Sequence, residues 1–322
     1  MASKKKIDTI KKKAKTGDPK AMYELGSAYL HGDGVRKNQK TGIEYIKKAA
    51  KANLAEAQLD LSFCYYEGLG VRKNAKQAFR WALTAAEQGE SMGQYNAWVA
   101  YSQGIGTPVD FKKALVWLKK SSEQGNTGAQ TDLGQYYLEH GKKDKERKQG
   151  VAILHQAAEA KDAEAQWILG LLFEQGIGVD PDPAQAFAWY EKSAKQGNPA
   201  SQASLGNCYY HGEGIKQDYK AALKWFRKAA DNGEPLAQTS MGFAYLDGDG
   251  VRKSLPLALE WFRKAAAQEH PDSLFALGSM YLTGEGVKKN KGTAKRYLSK
   301  AAALGDLEAA ELLEAINANL IS

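Results

Sequence analysis

Cysteine is scarce in this 322-residue chain, which has only Cys64 and Cys208. Both stand at the same position of a repeated pattern, four repeats apart. Packed helices lie about 8–10 Å apart, so four repeats separate the pair by tens of ångströms. A disulfide needs Cα atoms within about 7 Å. An internal bridge is therefore excluded, which suits a reducing compartment. Histidine is scarce too: His31, His140, His155, His211 and His270. None lies at metal-ligand spacing from another histidine or a cysteine, apart from His211 and Cys208. No stretch approaches the roughly eighteen apolar residues of a membrane span. The opening "MASKKKIDTIKKKAKTGDP" has the positive charge of a signal peptide but no apolar core. Cytoplasm is the expected compartment.

Motifs for chemistry are missing as well. "GVKKNKGTAK" has lysines but lacks the glycine–lysine–serine/threonine end of a phosphate-binding loop. "DGDG" at Asp247 resembles the start of a calcium loop, but Ala258 stands where a bidentate glutamate is needed. Cys208 and His211 could be a nucleophile and its base. The repeat argues otherwise, because Ala28, Ala100 and Ala244 occupy the matching position. A cysteine at an alanine-sized site behaves as a small buried hydrophobe. The expectation is no enzyme, no cofactor and no metal.

The chain is instead full of repetition. "FCYYEGLGVRK", from Phe63 to Lys73, returns in variant form with starts at 27, 63, 99, 135, 171, 207, 243 and 279. Every step is 36 residues. The copy at Val99 is weaker, and "QYYLEHGKKDK" at Gln135 lacks the glycine pair in register. A dinucleotide-binding glycine motif would occur once, after a strand. A fixed period of this size marks stacked supersecondary units. It overrides the two or three globular domains that the length suggests. One solenoid domain over 1–322 is expected, with a capping helix at 3–16, eight repeats over 17–304 and a capping helix at 305–322.

Repeat six shows why each unit is two helices. Ala203, Leu205, Gly206, Cys208, Tyr209 and Tyr210 give helical apolar spacing over roughly 199–211. Gly212 and Gly214 end that helix. Asp218 stands as a cap before "YKAALKWFRKAA". Gly26, Gly134, Gly170, Gly206, Gly242 and Gly278 sit inside first helices, where glycine costs about 1 kcal/mol against alanine. Close helix approach is the reason to expect, against the small residues Gly42, Ala78, Ala114, Gly150, Ala186, Ala222, Ala258 and Ala294. A large periodic wedge, Tyr45, Trp81, Trp117, Ile153, Trp189, Trp225, Trp261 and Tyr297, should fill the core. Ile7, Ile10 and Ala14 should face inward on the first capping helix, with its lysines outside. Leu312, Leu313, Ile316 and Leu320 should do so on the last.

"SQASLGNCYYHGEGI" from Ser201 and "KAALKWFRKAADNG" from Lys220 resemble the Sel1-like repeat family, relatives of the tetratricopeptide repeats. Six other repeats match closely and one is degenerate. The resemblance covers roughly 17–318. It implies an all-α, right-handed α/α superhelical solenoid that serves as a scaffold or adaptor for other proteins. Some secreted bacterial members carry a disulfide in each repeat, a pattern that this chain lacks.

The resemblance also implies that first helices line a concave groove. Residues offset from the packed positions there include Glu24, Asp60, Glu67, Asp132 and Glu139, acidic in a chain of net charge +8. Phe63, Ile168, Leu171 and Phe243 add apolar surface. A protein or peptide partner, basic and with an apolar anchor, is the expected ligand. Lys142, Lys143, Lys145, Arg147 and Lys148 replace the glycine-pair loop of repeat four and form a possible second surface. With the lysines of 4–15 they offer an alternative, polyanion or nucleic-acid binding. A hydrolase is the third reading.

Overall fold

A computed structural model describes residues 2–318, with side chains from Lys6 onward. Leu320 lies outside the described residues. Eighteen helices and no strand are present among those described. They fall into two compact units, Met1–Ala160 and Lys161–Ser322.

The first unit holds α1 (Ala2–Lys15), α2 (Pro19–His31), α3 (Gln39–Lys51), α4 (Ala55–Glu67), α5 (Ala75–Glu87), α6 (Ser91–Gln103), α7 (Phe111–Glu123), α8 (Thr127–His140) and α9 (Asp144–Glu159). The second holds α10 (Ala163–Gln175), α11 (Pro183–Lys195), α12 (Pro199–His211), α13 (Tyr219–Asp231), α14 (Pro235–Asp247), α15 (Leu255–Ala266), α16 (Pro271–Thr283), α17 (Lys291–Ala303) and α18 (Leu307–Asn317). Within each unit every helix packs on the next in sequence. Even-numbered helices from α2 to α16 are the first helices of the repeats, and odd-numbered ones from α3 to α17 the second.

The glycine pair is a turn. In repeat two Gly68 ends α4 with φ +82°, and its N–H donates to the Cys64 carbonyl. Gly70 follows at φ +65°, and a Cβ there would lie 2.8 Å from Ile43 Cγ1 of the preceding repeat. Left-handed backbone and close packing both require glycine. Asn74 then caps α5, accepting from the Gln77 N–H at 3.0 Å.

The interior glycines sit where the helices of a pair come closest. In repeats one and four both facing positions are glycine. A Cβ on Gly42 would lie 2.8 Å from the Gly26 carbonyl oxygen, and one on Gly150 2.8 Å from that of Gly134. Elsewhere the expected partner needs correction. Gly206 lies under the ring of Phe226, rather than against Ala222, and Gly242 lies under Phe262. One helical turn separates Ala222 from Phe226, and the larger side chain fills the gap.

The column opposite the glycine therefore reads Ile46, Ala82, Leu118, Leu154, Tyr190, Phe226, Phe262 and Leu298. All eight are at most 2% exposed. The preceding column, read above as the wedge, is half-buried at Trp81, Trp117 and Trp225. Its tryptophans seal the seam toward the preceding repeat: Trp225 joins the cluster around Tyr190 and Leu205, and Trp261 that around Phe226. A lysine three residues on covers several of these rings, 3.6 Å from the centroid for Lys192 over Trp189 and 4.1 Å for Lys264 over Trp261.

A buried glutamine also recurs every 36 residues, at Gln58, Gln94, Gln130, Gln166, Gln202 and Gln238. Gln58 donates to the Ala50 carbonyl and Gln94 to that of Ala86, in the last turns of α3 and α5. These carbonyls lie in the last turn, beyond the reach of the regular helix ladder, and the glutamine adds to the N–H groups of Asn53 and Gly89 that close the turn. Gln124 donates to Gln94 Oε1 at 2.8 Å, and Gln196 to Gln166 at 2.8 Å. Gln94→Leu is expected to lower stability by about 1–3 kcal/mol, because buried partners lose their bonds. Urea unfolding checks this, and an unchanged midpoint would refute it.

Candidate partner-binding surface

Charge divides sharply between the two helices of each repeat. In the first unit, α2, α4, α6 and α8 carry one lysine, Lys20, against six carboxylates. Helices α3, α5, α7 and α9 carry thirteen lysines and arginines against six carboxylates. In the second unit, α10, α12, α14 and α16 have no lysine or arginine. The first-helix face is thus acidic within a basic protein.

Not every acidic residue there is free. Glu24, Glu67 and Glu139 are exposed. Asp60 is half-buried and accepts from the Tyr23 hydroxyl at 2.9 Å, tying α4 to α2. Asp132 is half-buried and accepts from Trp98 Nε1 at 2.9 Å, tying α8 to α6. These two aspartates bridge neighbouring repeats as well as adding charge. Burial raises the Asp60 carboxyl above its ordinary range, with the Tyr23 hydrogen bond pulling the other way. Burial, then the Asp60 charge, pushes Tyr23 up to about 12.

A raised folded value means that the folded chain holds this proton more tightly than the unfolded chain does. Stability falls as pH rises from below the ordinary aspartate value through the raised one, and stays lowered above it. Asp60→Asn keeps an acceptor for Tyr23 and removes the charge. It is expected to stabilise the chain slightly at pH 7, with the gain vanishing under acid conditions. Unfolding midpoints at both pH values check this, and an equal gain at both would remove the electrostatic cause.

The apolar residues behave differently from one another. Phe63 is 56% exposed on α4, beside Tyr66 at 42%. Leu171 is half-buried against the cluster around Tyr190, and Phe243 stacks edge-on against Phe262 at 5.0 Å. Ile168 is only 5% exposed. It belongs to the core, which corrects its expected place as a surface anchor. Helix α10 has six buried residues and an apolar run from Trp167 to Phe173, so position alone does not reveal which side chain points outward.

The basic run of repeat four is not one loop. Only Lys142 and Lys143 lie between helices; Lys145, Arg147 and Lys148 are exposed on the first turns of α9. Cations are unfavourable at a helix start. Asp144 and Glu146 offset them: Asp144 pairs with Lys148 at 3.0 Å, and Glu146 accepts from the Lys142 N–H at 2.8 Å.

Cys208 is buried and His211 exposed. Burial pushes the Cys208 thiol up to about 12 and the Cys64 thiol up to about 11. Neither is a thiolate near neutral pH. Among the described residues, no helix is long and apolar enough to cross a membrane, and no three His, Cys, Asp or Glu are grouped to hold a metal.

The eight helix pairs correspond to a known repeat. Eight segments match the Sel1 repeat: residues 19–54, 55–90, 92–126, 127–162, 163–198, 199–234, 235–270 and 271–306. No curated protein matches the chain. Among solved structures, it is similar to c5321, described as a protective antigen present in uropathogenic Escherichia coli strains displaying an SLR fold. Identity is 32% over 98% of this chain and 68% of that one, with a TM-score of 0.81. It is also similar to a Sel1 repeat protein from Oxalobacter formigenes, at 32% identity over 96% of this chain and 90% of that one, with a TM-score of 0.65. With the repeats matched almost end to end, the chain belongs to the Sel1 repeat family.

Proposed function

We propose that the chain is a non-enzymatic scaffold that binds a basic protein or peptide on the first-helix face of its Met1–Ala160 unit. Sel1 repeat proteins generally mediate protein–protein interactions. The observation that carries the reading is the charge division: α4 and α8 have carboxylates, and α4, α6 and α8 have no lysine or arginine, beside the exposed rings of Phe63 and Tyr66. Acidic charge on one face speeds encounter with a basic partner, and exposed aromatics supply contact area. Leu171 and Phe243 hold the Phe63 position in repeats of the second unit.

The test is capture of partner proteins by the intact chain and by a Glu24→Lys, Glu139→Lys variant. Both glutamates are exposed, so the fold is expected to survive. Association should slow by about tenfold or more, with a weaker salt dependence. Unchanged association would move the interface elsewhere.

The polyanion reading keeps one supporting observation, the basic balance of α3, α5, α7 and α9. Several of those lysines already lie over aromatic rings, as Lys120 does over Trp117 at 4.6 Å and Lys48 over Tyr45 at 5.2 Å. Affinity for duplex DNA that collapses with salt and is lost on neutralising Lys142, Lys143, Lys145, Arg147 and Lys148 would favour it.

A further inference from the structure

We propose that repeat two takes up one large apolar side chain from a basic segment of its partner, in a recess left open by Ala82. The proposal rests on the partner-binding reading above and names what that partner presents.

The argument begins with the column opposite the interior glycine. Seven repeats place isoleucine, leucine, tyrosine or phenylalanine there; repeat two places Ala82. Its facing position is Ser62 instead of glycine, which does not replace the lost bulk. The result is a recess of about 280 Å³ between α4, α5 and α6. Ala78 and Ala82 form its floor, at 4% and 2% exposure. Phe63, Tyr66 and Glu67 stand exposed at its rim, and Val99 of α6 lines it from the other side. Repeat six provides an internal comparison. Its recess at the same place, bounded by Tyr210, Phe226 and Phe243, is about 200 Å³, with Phe226 standing where repeat two has Ala82.

The Ser62 hydroxyl donates to the Ala78 carbonyl at 2.8 Å. Both groups are satisfied within the chain, so an apolar guest strands neither. An unfilled apolar space forfeits contacts that a guest of matching shape recovers. The chain's own repeats indicate that shape: a leucine- to phenylalanine-sized side chain. Charge indicates the setting. Glu67 is on the rim, and α4 and α6 carry no lysine or arginine. The guest is therefore expected on a segment with flanking lysine or arginine.

Synthetic peptides with a central leucine, phenylalanine or alanine, flanked by lysine and arginine or by glutamate, are titrated against the full chain. The Ala82→Leu variant is titrated in parallel. That substitution supplies the side chain found in other repeats, so its unfolding midpoint should equal or exceed wild type. Basic peptides with leucine or phenylalanine should bind wild type, and Ala82→Leu should weaken them by about tenfold or more, the worth of one buried side chain. Alanine-centred and glutamate-flanked peptides should bind wild type about tenfold more weakly. Full binding by a folded Ala82→Leu chain, equal binding of glutamate-flanked peptides, or no peptide binding by wild type would each overturn the proposal. If Ala82→Leu perturbs the fold, Phe63→Ala on the exposed rim decides the point: tenfold weaker binding supports the recess, and unchanged binding removes it. Partner proteins captured equally by wild type and Ala82→Leu, but lost by Glu24→Lys, Glu139→Lys, would leave the scaffold reading standing and remove the recess alone.

Discussion

Gly206→Leu should destabilise the Lys161–Ser322 unit by about 2 kcal/mol or more. Even a Cβ at this position would lie 2.4 Å from Cδ1 and Cε1 of the Phe226 ring, which is 1% exposed, so the ring must shift. Overpacking of this kind typically costs about 1–3 kcal/mol. Leucine's better helix propensity returns roughly 1 kcal/mol, so the steric term must win. A double substitution isolates the cause. Phe226→Ala alone should cost about 3–5 kcal/mol. Combined with Gly206→Leu it should cost less than the sum of the two, because leucine then occupies the vacated space. Additive losses, or a Gly206→Leu midpoint at or above wild type, would show that the ring does not set the glycine.

Removing residues 2–16 should cost about 3 kcal/mol or more. Ile7 and Ala14 are each 7% exposed on α1, and Ile10 is half-buried. Burying one isoleucine-sized side chain is worth about 1.5–3 kcal/mol. Deletion also uncovers Ala21, Met22 and Leu25 of α2, which pack with Ala14 and Ile10. Two variants of the intact helix divide packing from charge. Ile7→Asp should reproduce most of the loss. Replacing Lys6, Lys12, Lys13 and Lys15 by glutamine should leave stability nearly unchanged, since all four are exposed. Unchanged stability on deletion, together with lost DNA binding, would instead make this helix a polyanion-binding arm.

Much of the architecture was legible because a strict period makes each repeat a check on the others. The helix predicted over 199–211 is α12, and Asp218 caps α13 as expected, accepting from the N–H groups of Lys220 and Ala221. The period does not reveal which of two residues one turn apart meets the facing helix. That is why Ala222 was expected where Phe226 stands. Nor does it separate outward from inward on a helix that is apolar nearly all round, as with Ile168. The recess at Ala82 was harder to foresee, because it is defined by a side chain missing from its column. The glutamine column was plain in the sequence, but only the carbonyls at the preceding helix ends explain it.

The helix-on-next-helix packing has a kinetic consequence. Within each unit, the contacts that define the fold join segments close in sequence. Little chain entropy is spent closing long loops before those contacts form, which favours fast folding. A growing chain can consolidate one helix pair before the next has been synthesised, since each pair needs only its neighbours. During synthesis, the apolar face of the newest pair is then the main surface left open to aggregation.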